Sequence, residues 1–470
     1  MRRGFLLLFI LCSLTSIAQD YSVDRKLGAE GMAAVAATMG IYQDTSKTKI
    51  ISSIGNHLVS NLATHPFPYE FFIVDLAVPN AFALPGGYVC FTRGILILAN
   101  SEDELAGVMG HEIIHSNDRH SIKQRKKSIV PGILMAPEIL TSAIAGDGIS
   151  KIFSPLSKGG EAVMASHSRK DEYEADALGV QLSAKSGYQP DALGDILLTL
   201  NKSIEIFTGE KEKAGYLNDH PYTPDRVSRI KKESAQLTVA QSSKIFKTKN
   251  DFLKALDGVI VGENPSQGVF KGDWFIHPDL KFKISVPSKW LSQNTPSNMI
   301  AVDTTQSVMM MLEIEPKAKS AKEGATTFAD AFKKKTGVTI DVNSDMINGL
   351  TASQISFTQS RDRSKQTIKV LWIEYEGIIY RILGSAVPGF ETILISSMES
   401  FTSLPIDERK EITKRVIRVV EANDGENIKD LCDRSKNLYP SKLIAAINGI
   451  SEDKVFKRGD LLKVIIEVPY

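Results

Sequence analysis

The stretch that most limits how this chain can fold is SEDELAGVMGHEIIHSNDRH, residues 101–120. Ser101 is a favoured helix N-cap, Glu102 and Asp103 put negative charge in the first turn, and Glu104 stands at the capping-box position. Leu105, Val108, Ile113 and Ile114 follow at helical spacing. The predicted helix carries His111, Glu112 and His115. Residues four apart lie about 40° apart around a helix axis, so both imidazoles leave one face and can bind one ion. Glu112 points beside them, where a carboxylate can take a proton from water. Zinc chemistry asks for that set of neutral nitrogen ligands, open position and base. A His-x-x-x-His pair can also be two surface histidines. The chain has only 8 His, which weighs against chance placement of two around a glutamate.

At 470 residues the chain exceeds one core, so several domains are expected. The formal charge is +1, with no basic excess to suggest nucleic acid or an anionic membrane. MRRGFLLLFILCSLTSIAQD reads as a secretory signal over 1–18: Arg2 and Arg3, an apolar core too short to span a bilayer, then the small-x-small site Ser16-Ile17-Ala18. Leu11 before Cys12 is bulky for a lipoprotein signal, which argues against a lipid anchor at Cys12. Only Cys90 and Cys432 remain beyond the signal, too few for a disulfide framework. Export points to a periplasmic or envelope-associated location. No transmembrane span is expected in the mature chain, because the apolar run 128–146 is broken by Pro131, Pro137 and Glu138.

Residues 19–66 read as two helices, with His57 and His65 structural. YEFFIVDL reads as a buried strand, and Asn80, Ala81, Phe82, Ala83 and Leu84 as a short edge strand before the Pro85-Gly86-Gly87 turn. An edge strand near such a helix can bind an extended peptide. An ordinary hairpin is the plainer reading. In SHSRKDEYEADALG, Glu172 and Asp176 share a helical face with Ala175 and Gly179, small residues that admit another helix. Glu172 suits a third metal ligand, and Asp176 can accept a ligand histidine's other N–H; spacing alone also fits a solvated acidic face. Further on, His220 precedes Pro221 and so is extended or in a turn. Arg226 sits in the first turn of a helix, an unusual place for a cation, which fits either an exposed cap or a pairing within a site.

Four blocks, NAFALPGG, HEIIHSNDRH, SRKDEYEAD and HPYTPDR, resemble in order the gluzincin peptidases of the CAAX prenyl protease and HtpX type, across about residues 24–235. The resemblance implies zinc, one ion per chain, on His111, His115 and Glu172. It implies Glu112 as general base, Asp176 as orienter of a ligand histidine, and His220 as oxyanion stabiliser or zinc plug. It also implies a matching Arg226 and a substrate strand at Asn80–Leu84. Integral-membrane relatives carry several spanning helices that this chain lacks, and no 34-residue repeat is found here.

The fold class expected is α+β: a mainly helical zincin-type protease domain with a small sheet (19–258), an α+β sheet domain (269–405), and a small strand–helix–helix–strand module (413–470). The sheet domain is weakly similar to PsbP/Mog-type folds. The last module resembles LysM, which implies possible peptidoglycan contact. The expected function is a zinc metalloendopeptidase acting on misfolded or unassembled envelope or outer-membrane proteins. The rival is a non-enzymatic or self-inhibited envelope protein that binds cell-wall glycan or clients.

Overall fold

The structure is a computed structural model that describes residues 21–125, 167–208, 220, 224–241, 244–361 and 364–470. The signal reading over 1–18, Cys12 and the 128–146 run lie outside the described residues.

Two helices open the chain, α1 (Ser22–Thr38) and α2 (Thr45–Val59). Asp44 caps α2 by accepting hydrogen bonds from the Ser46 and Lys47 amides. The helical spacing of Ile51, Ile54 and Leu58 becomes one fully buried stripe. It lies against a three-stranded sheet of β1 (Glu70–Val74), β2 (Ala81–Leu84) and β3 (Tyr88–Thr92), ordered β1-β3-β2. The β1/β3 pair is parallel and β2/β3 antiparallel, so β2 is an edge strand of this sheet. Gly86 and Gly87 turn the chain between β2 and β3 with φ of 79° and 91°, values that favour glycine.

Thr92 caps α3 (Arg93–Leu98), and Ser101 caps α4 (Glu102–Asn117) by accepting from the Glu104 amide. Glu104 does not complete a capping box. Its carboxylate instead accepts from the Asn100 amide, one residue before the cap. Nor is α4 apolar on one stripe only, since every residue from Glu104 to Ser116 is buried. It is a central helix, enclosed by the sheet and by α6 (Arg169–Lys185) and α7 (Ala192–Thr208); α5 (His120–Arg125) follows it and α8 (Pro224–Ser234) packs on α6 and α7. Gly179 on α6 lets the two helices touch: a Cβ there would lie 2.9 Å from the His111 amide nitrogen. This close crossing carries α6 side chains up to the His111 turn.

Residues 269–403 form a four-stranded and a seven-stranded antiparallel sheet. The helix Ala321–Thr336 covers one face of the larger sheet through Phe328 on Trp372, and the helix Glu391–Glu399 covers the other through Leu394 and Met398. Both faces are therefore apolar, and the Met309–Met311 run is core, with Met310 and Met311 in opposite layers. Glu376 and Gly377 turn the chain between the antiparallel strands Ser364–Tyr375 and Ile378–Ala386, both residues having positive φ.

The segment from 413 onward has the expected order: strand Thr413–Glu421, helices Ile428–Arg434 and Ser441–Ile447, strand Leu461–Pro469. It shares one apolar core with the first part of the chain, where Ile417, Ile444 and Val464 join Ile196, Leu253 and Val259. Ile260–Val261 adds a third strand to its sheet. The fully buried Lys463 donates to the carbonyls of Ile97 (2.7 Å) and Ala99 (2.8 Å), just ahead of α4. The whole is α+β, as the sequence pattern predicts. Cys90 and Cys432 are buried free thiols. Among the described residues no helix is long and apolar enough to cross a membrane.

Candidate metal centre

The i, i+4 pair on α4 brings His111 Nε2 and His115 Nε2 to 2.9 Å of each other. From α6, Glu172 sets Oε1 3.3 Å from His115 Nε2 and Oε2 3.5 Å from His111 Nε2. His220 places Nδ1 3.2 Å from His111 Nε2 and 3.0 Å from Glu172 Oε1. All four residues are buried, and their donor atoms lie within 4.8 Å of one another. Four ligands around one zinc ion at bonds of about 2.0–2.2 Å stand about 3.3–3.6 Å apart. The observed spacings are near that figure, and the donors, three imidazoles and one carboxylate, are types that zinc favours, so the residues fit the ion.

A second ring of contacts holds these side chains. His111 Nδ1 lies 2.9 Å from Asp176 Oδ1. Arg226 grips Asp176 with two bonds, from Nε at 2.7 Å and from a terminal nitrogen at 2.8 Å. It also reaches Glu172 Oε2 at 3.2 Å and the His220 carbonyl at 3.2 Å. Arg226 is 1% exposed, so the structure chooses the paired site over the exposed cap. One guanidinium thus ties α6 to the segment bearing His220.

The electrostatics follow from this crowding. Burial alone would lower the His111 pKa, but the bonds to Asp176 and Glu172 outweigh it and lift it to about 9. Burial, with the charge of His111, depresses His115 well below the usual histidine range. Although burial opposes it, the imidazoles of His220, His111 and His115 hold Glu172 far below the carboxylate range. Asp176 is likewise lowered against its burial, by Arg226 and His111. Glu112 behaves differently. It is 0% exposed, burial raises its pKa, and neither carboxylate oxygen has a hydrogen-bond partner. His220 Nε2 stands 3.5 Å from Glu112 Oε1.

Asn80 and the strand Ala81–Leu84 lie at the sheet edge against α4. Asn80 is locked there, its amide donating to Thr92 Oγ1, which in turn donates to the Asn80 carbonyl. His57 makes a separate contact with the Ser186 carbonyl, and His277 accepts from the Leu280 amide.

Two histidines of this centre escape a reading by motif. His120 Nδ1 lies 3.0 Å from His115 Nδ1, and His167 stacks on the His115 ring at 3.9 Å between centroids. Burial, helped by the charge of His220, lowers the His167 pKa to about 3. His120 belongs to the HEIIHSNDRH block, but it falls five residues after His115, off the helical repeat. His167 precedes the SRKDEYEAD block with no spacing to mark it.

With this geometry in view, residues 45–234 match the model of the family described as peptidase family M48. The chain carries a peptidase family M48 domain. His111, Glu112, His115, Glu172, Asp176, His220 and Arg226 all fall inside the M48 match. A beta-barrel assembly-enhancing protease of Yersinia pestis is 28% identical over 231 residues, covering 47% of this chain and 46% of that protein. The protein of the same name from Escherichia coli (strain K12) is 29% identical over 213 residues, covering 44% and 43%. The mitochondrial metalloendopeptidase OMA1 of Schizosaccharomyces pombe is 27% identical over 184 residues, covering 39% and 52%. The chain spans about half the length of the curated relatives it matches. Among solved structures, the solution structure of a cyanobacterial PsbP from Synechocystis aligns at a TM-score of 0.24 with 10% identity, over 30% of this chain and 98% of that one, and carries no argument.

Proposed function

We propose that the chain is a zinc-dependent endopeptidase with one zinc ion, held by His111, His115 and Glu172. The observation that carries this reading is Glu112: a fully buried carboxylate with no hydrogen-bond partner, beside a converging set of metal-ligand atoms. A buried carboxylate is costly unless its oxygens accept hydrogen bonds, and here, beyond the His220 imidazole at 3.5 Å, a substrate water or amine is what remains to donate them. Zinc held there supplies Lewis acidity, acidifying a water and polarising a peptide carbonyl.

The chain's own residues do the rest. Glu112, its pKa raised by burial, takes a proton from water and delivers it to the departing amine. Asp176 holds His111 by its Nδ1 and so aims Nε2 at the ion. Arg226 keeps Asp176 and Glu172 charged and in place. Asn80, with the strand Ala81–Leu84 that follows it, receives an extended polypeptide by strand addition, a role supported by the strand's edge position beside α4. The names of the relatives and the signal-like N-terminus support misfolded or unassembled envelope proteins as substrates, in the periplasm or envelope. The strand–helix–helix–strand order of 413–470 supports a LysM-like unit able to meet peptidoglycan.

The test is zinc content together with cleavage of an unfolded protein, with and without chelator. Wild type should bind one zinc and cleave only when loaded, and Glu112→Gln should keep zinc and lose cleavage. Cleavage undiminished in Glu112→Gln sinks the mechanism.

A second reading rests on His220. Its Nδ1 already belongs to the ligand set, the position of a fourth ligand that closes the site at rest. His220→Ala should then cleave faster than wild type. Slower cleavage assigns His220 to oxyanion stabilisation instead.

A further inference from the structure

The two histidines of the motif are held at their far nitrogens by different chemistry. His111 Nδ1 meets a carboxylate, Asp176, at 2.9 Å. His115 Nδ1 meets another imidazole nitrogen, His120 Nδ1, at 3.0 Å. A neutral imidazole that gives its Nε2 lone pair to a metal keeps its proton on Nδ1. On the zinc reading, His115 is therefore the donor and His120 Nδ1 the acceptor, which leaves the His120 proton on Nε2.

We propose that His120 is a positioning residue for the metal centre: it accepts the His115 Nδ1–H and thereby fixes the tautomer and ring angle of that ligand. The proposal rests on the zinc reading above. Three features support it. His120 is 0% exposed, so no bulk water competes for the bond. Its Nε2 has no hydrogen-bond partner and faces carboxylate oxygens of Glu174 at 3.8 Å and Asp171 at 4.0 Å, as an N–H would. The chain also leaves the helical path to place it. Arg119, between α4 and α5, takes a φ of 58°, a left-handed value unfavourable for a non-glycine residue. Its guanidinium is anchored by two bonds to Asp24 of α1, at 2.8 and 2.7 Å. This turn brings His120 back over His115, five residues away, where a continuing helix would carry it past. His167 stacks on the face of the same ring, so His115 is held at both its edge and its face.

A rival use of His120 is a second metal site, because Asp118, His120 and Glu174 also place possible ligand atoms within 4.8 Å of one another. Proton counting separates the two. A metal on His120 Nε2 requires a proton on His120 Nδ1, which would face the proton on His115 Nδ1 across 3.0 Å. Two N–H groups cannot share that gap, so the second ion and the first compete unless a proton is lost.

The experiment uses the full chain and measures zinc affinity by chelator competition, zinc stoichiometry, and melting with and without zinc. His120→Leu removes the acceptor; His120→Asn keeps an amide oxygen near the Nδ1 position. The expected result is a loss of about 10–100-fold in zinc affinity for His120→Leu, largely restored in His120→Asn, with metal-free melting temperatures that agree. Equal affinity in wild type and His120→Leu overturns the proposal, as does an Asn variant as weak as the Leu variant. A second zinc in wild type that His120→Leu loses makes His120 a ligand and also overturns it. Wild type binding no zinc overturns the metal reading itself. Should neither variant fold, nitrogen NMR of zinc-loaded wild type decides: His120 Nδ1 must be unprotonated, and a proton there rejects the assignment.

Discussion

The two parts of α4 treat buried charge in opposite ways. At its start, Glu102 accepts from the Ile245 and Phe246 amides, each at 2.9 Å, and from the Tyr188 hydroxyl at 3.1 Å. Glu104 accepts from the Asn100 amide and feels the charge of Lys463, whose ammonium is itself bonded to two carbonyls. These groups find their answers within the chain. More than two turns further on, Glu112 accepts no hydrogen bond and has only the His220 imidazole at 3.5 Å, and the nitrogens of His111 and His115 face each other at 2.9 Å. Answered charge joins pieces of a fold. A carboxylate left without a hydrogen-bond donor at the same depth is held for something that arrives from outside. The helix therefore carries structure in its first turn and chemistry in its third.

The sharpest way to break this contrast is to neutralise one carboxylate in each part. Glu112→Gln should lower turnover by about 10²–10⁴-fold, the usual worth of a general base, while the melting temperature stays level or rises, since no internal bond is lost. Glu102→Gln should do the reverse, destabilising the fold while leaving the turnover of the folded fraction. Comparing turnover with melting for the two variants checks it, and a fall in stability for Glu112→Gln would remove the distinction.

Arg226 is the exception that tests the rule from within the site, because here a buried ion pair is fully answered. Truncation in Arg226→Ala leaves Asp176 and Glu172 with an unpaired burden, and the expected cost is about 3–5 kcal/mol. Urea unfolding with and without zinc reads it. The loss should be smaller with zinc present, because a cation on Glu172 and His111 replaces part of the lost charge.

The centre was legible in the sequence wherever helical spacing wrote it. His111 and His115, then Glu172 and Asp176, are two i, i+4 pairs, and a period of 3.6 puts each pair on one face without any tertiary knowledge. The small face at Ala175 and Gly179 likewise announced a close helix crossing. His120 was not legible, since its place depends on a left-handed Arg119 held by Asp24, 95 residues earlier in the chain. The contact between Lys463 and the Ile97 carbonyl spans 366 residues and leaves no local pattern. Nor does the apolar spacing in α4 show burial all round, because Gly107 and Gly110 present no hydrophobic side chain to the helices that cover them.

The seam at Glu104 and Lys463 gives a pH test. Burial raises Glu104 from 4.5 to about 7 and lowers Lys463 from 10.5 to about 7. Between pH 4.5 and 7 folded Glu104 holds a proton that the unfolded chain has released. Its contribution to stability is full below 4.5 and is lost as pH rises through about 7. Lys463 contributes fully above 10.5 and loses that contribution as pH falls through about 7. The seam is therefore weakest near neutrality. The double variant Glu104→Gln with Lys463→Met should gain on wild type by about 1–3 kcal/mol near pH 7, and the gain should shrink towards pH 4.5 and 10.5. Urea midpoints across that range measure it; a difference that does not vary with pH rejects the assignment.

The smallest effect belongs to the cap. Ser101 accepts from the Glu104 amide at 3.2 Å and closes the first turn of α4. Removing that acceptor in Ser101→Ala should cost about 1 kcal/mol, because the turn is also held by Glu102, Glu104 and the Lys463 seam. Zinc affinity should not change. The histidines lie more than two turns away and take their orientation from Asp176 and His120, not from the helix start. A melting shift without a change in zinc affinity keeps the two parts of the helix separate. A loss of zinc affinity in Ser101→Ala would mean that the first turn sets the ligand geometry, and the division of α4 into a structural and a chemical part would have to be given up.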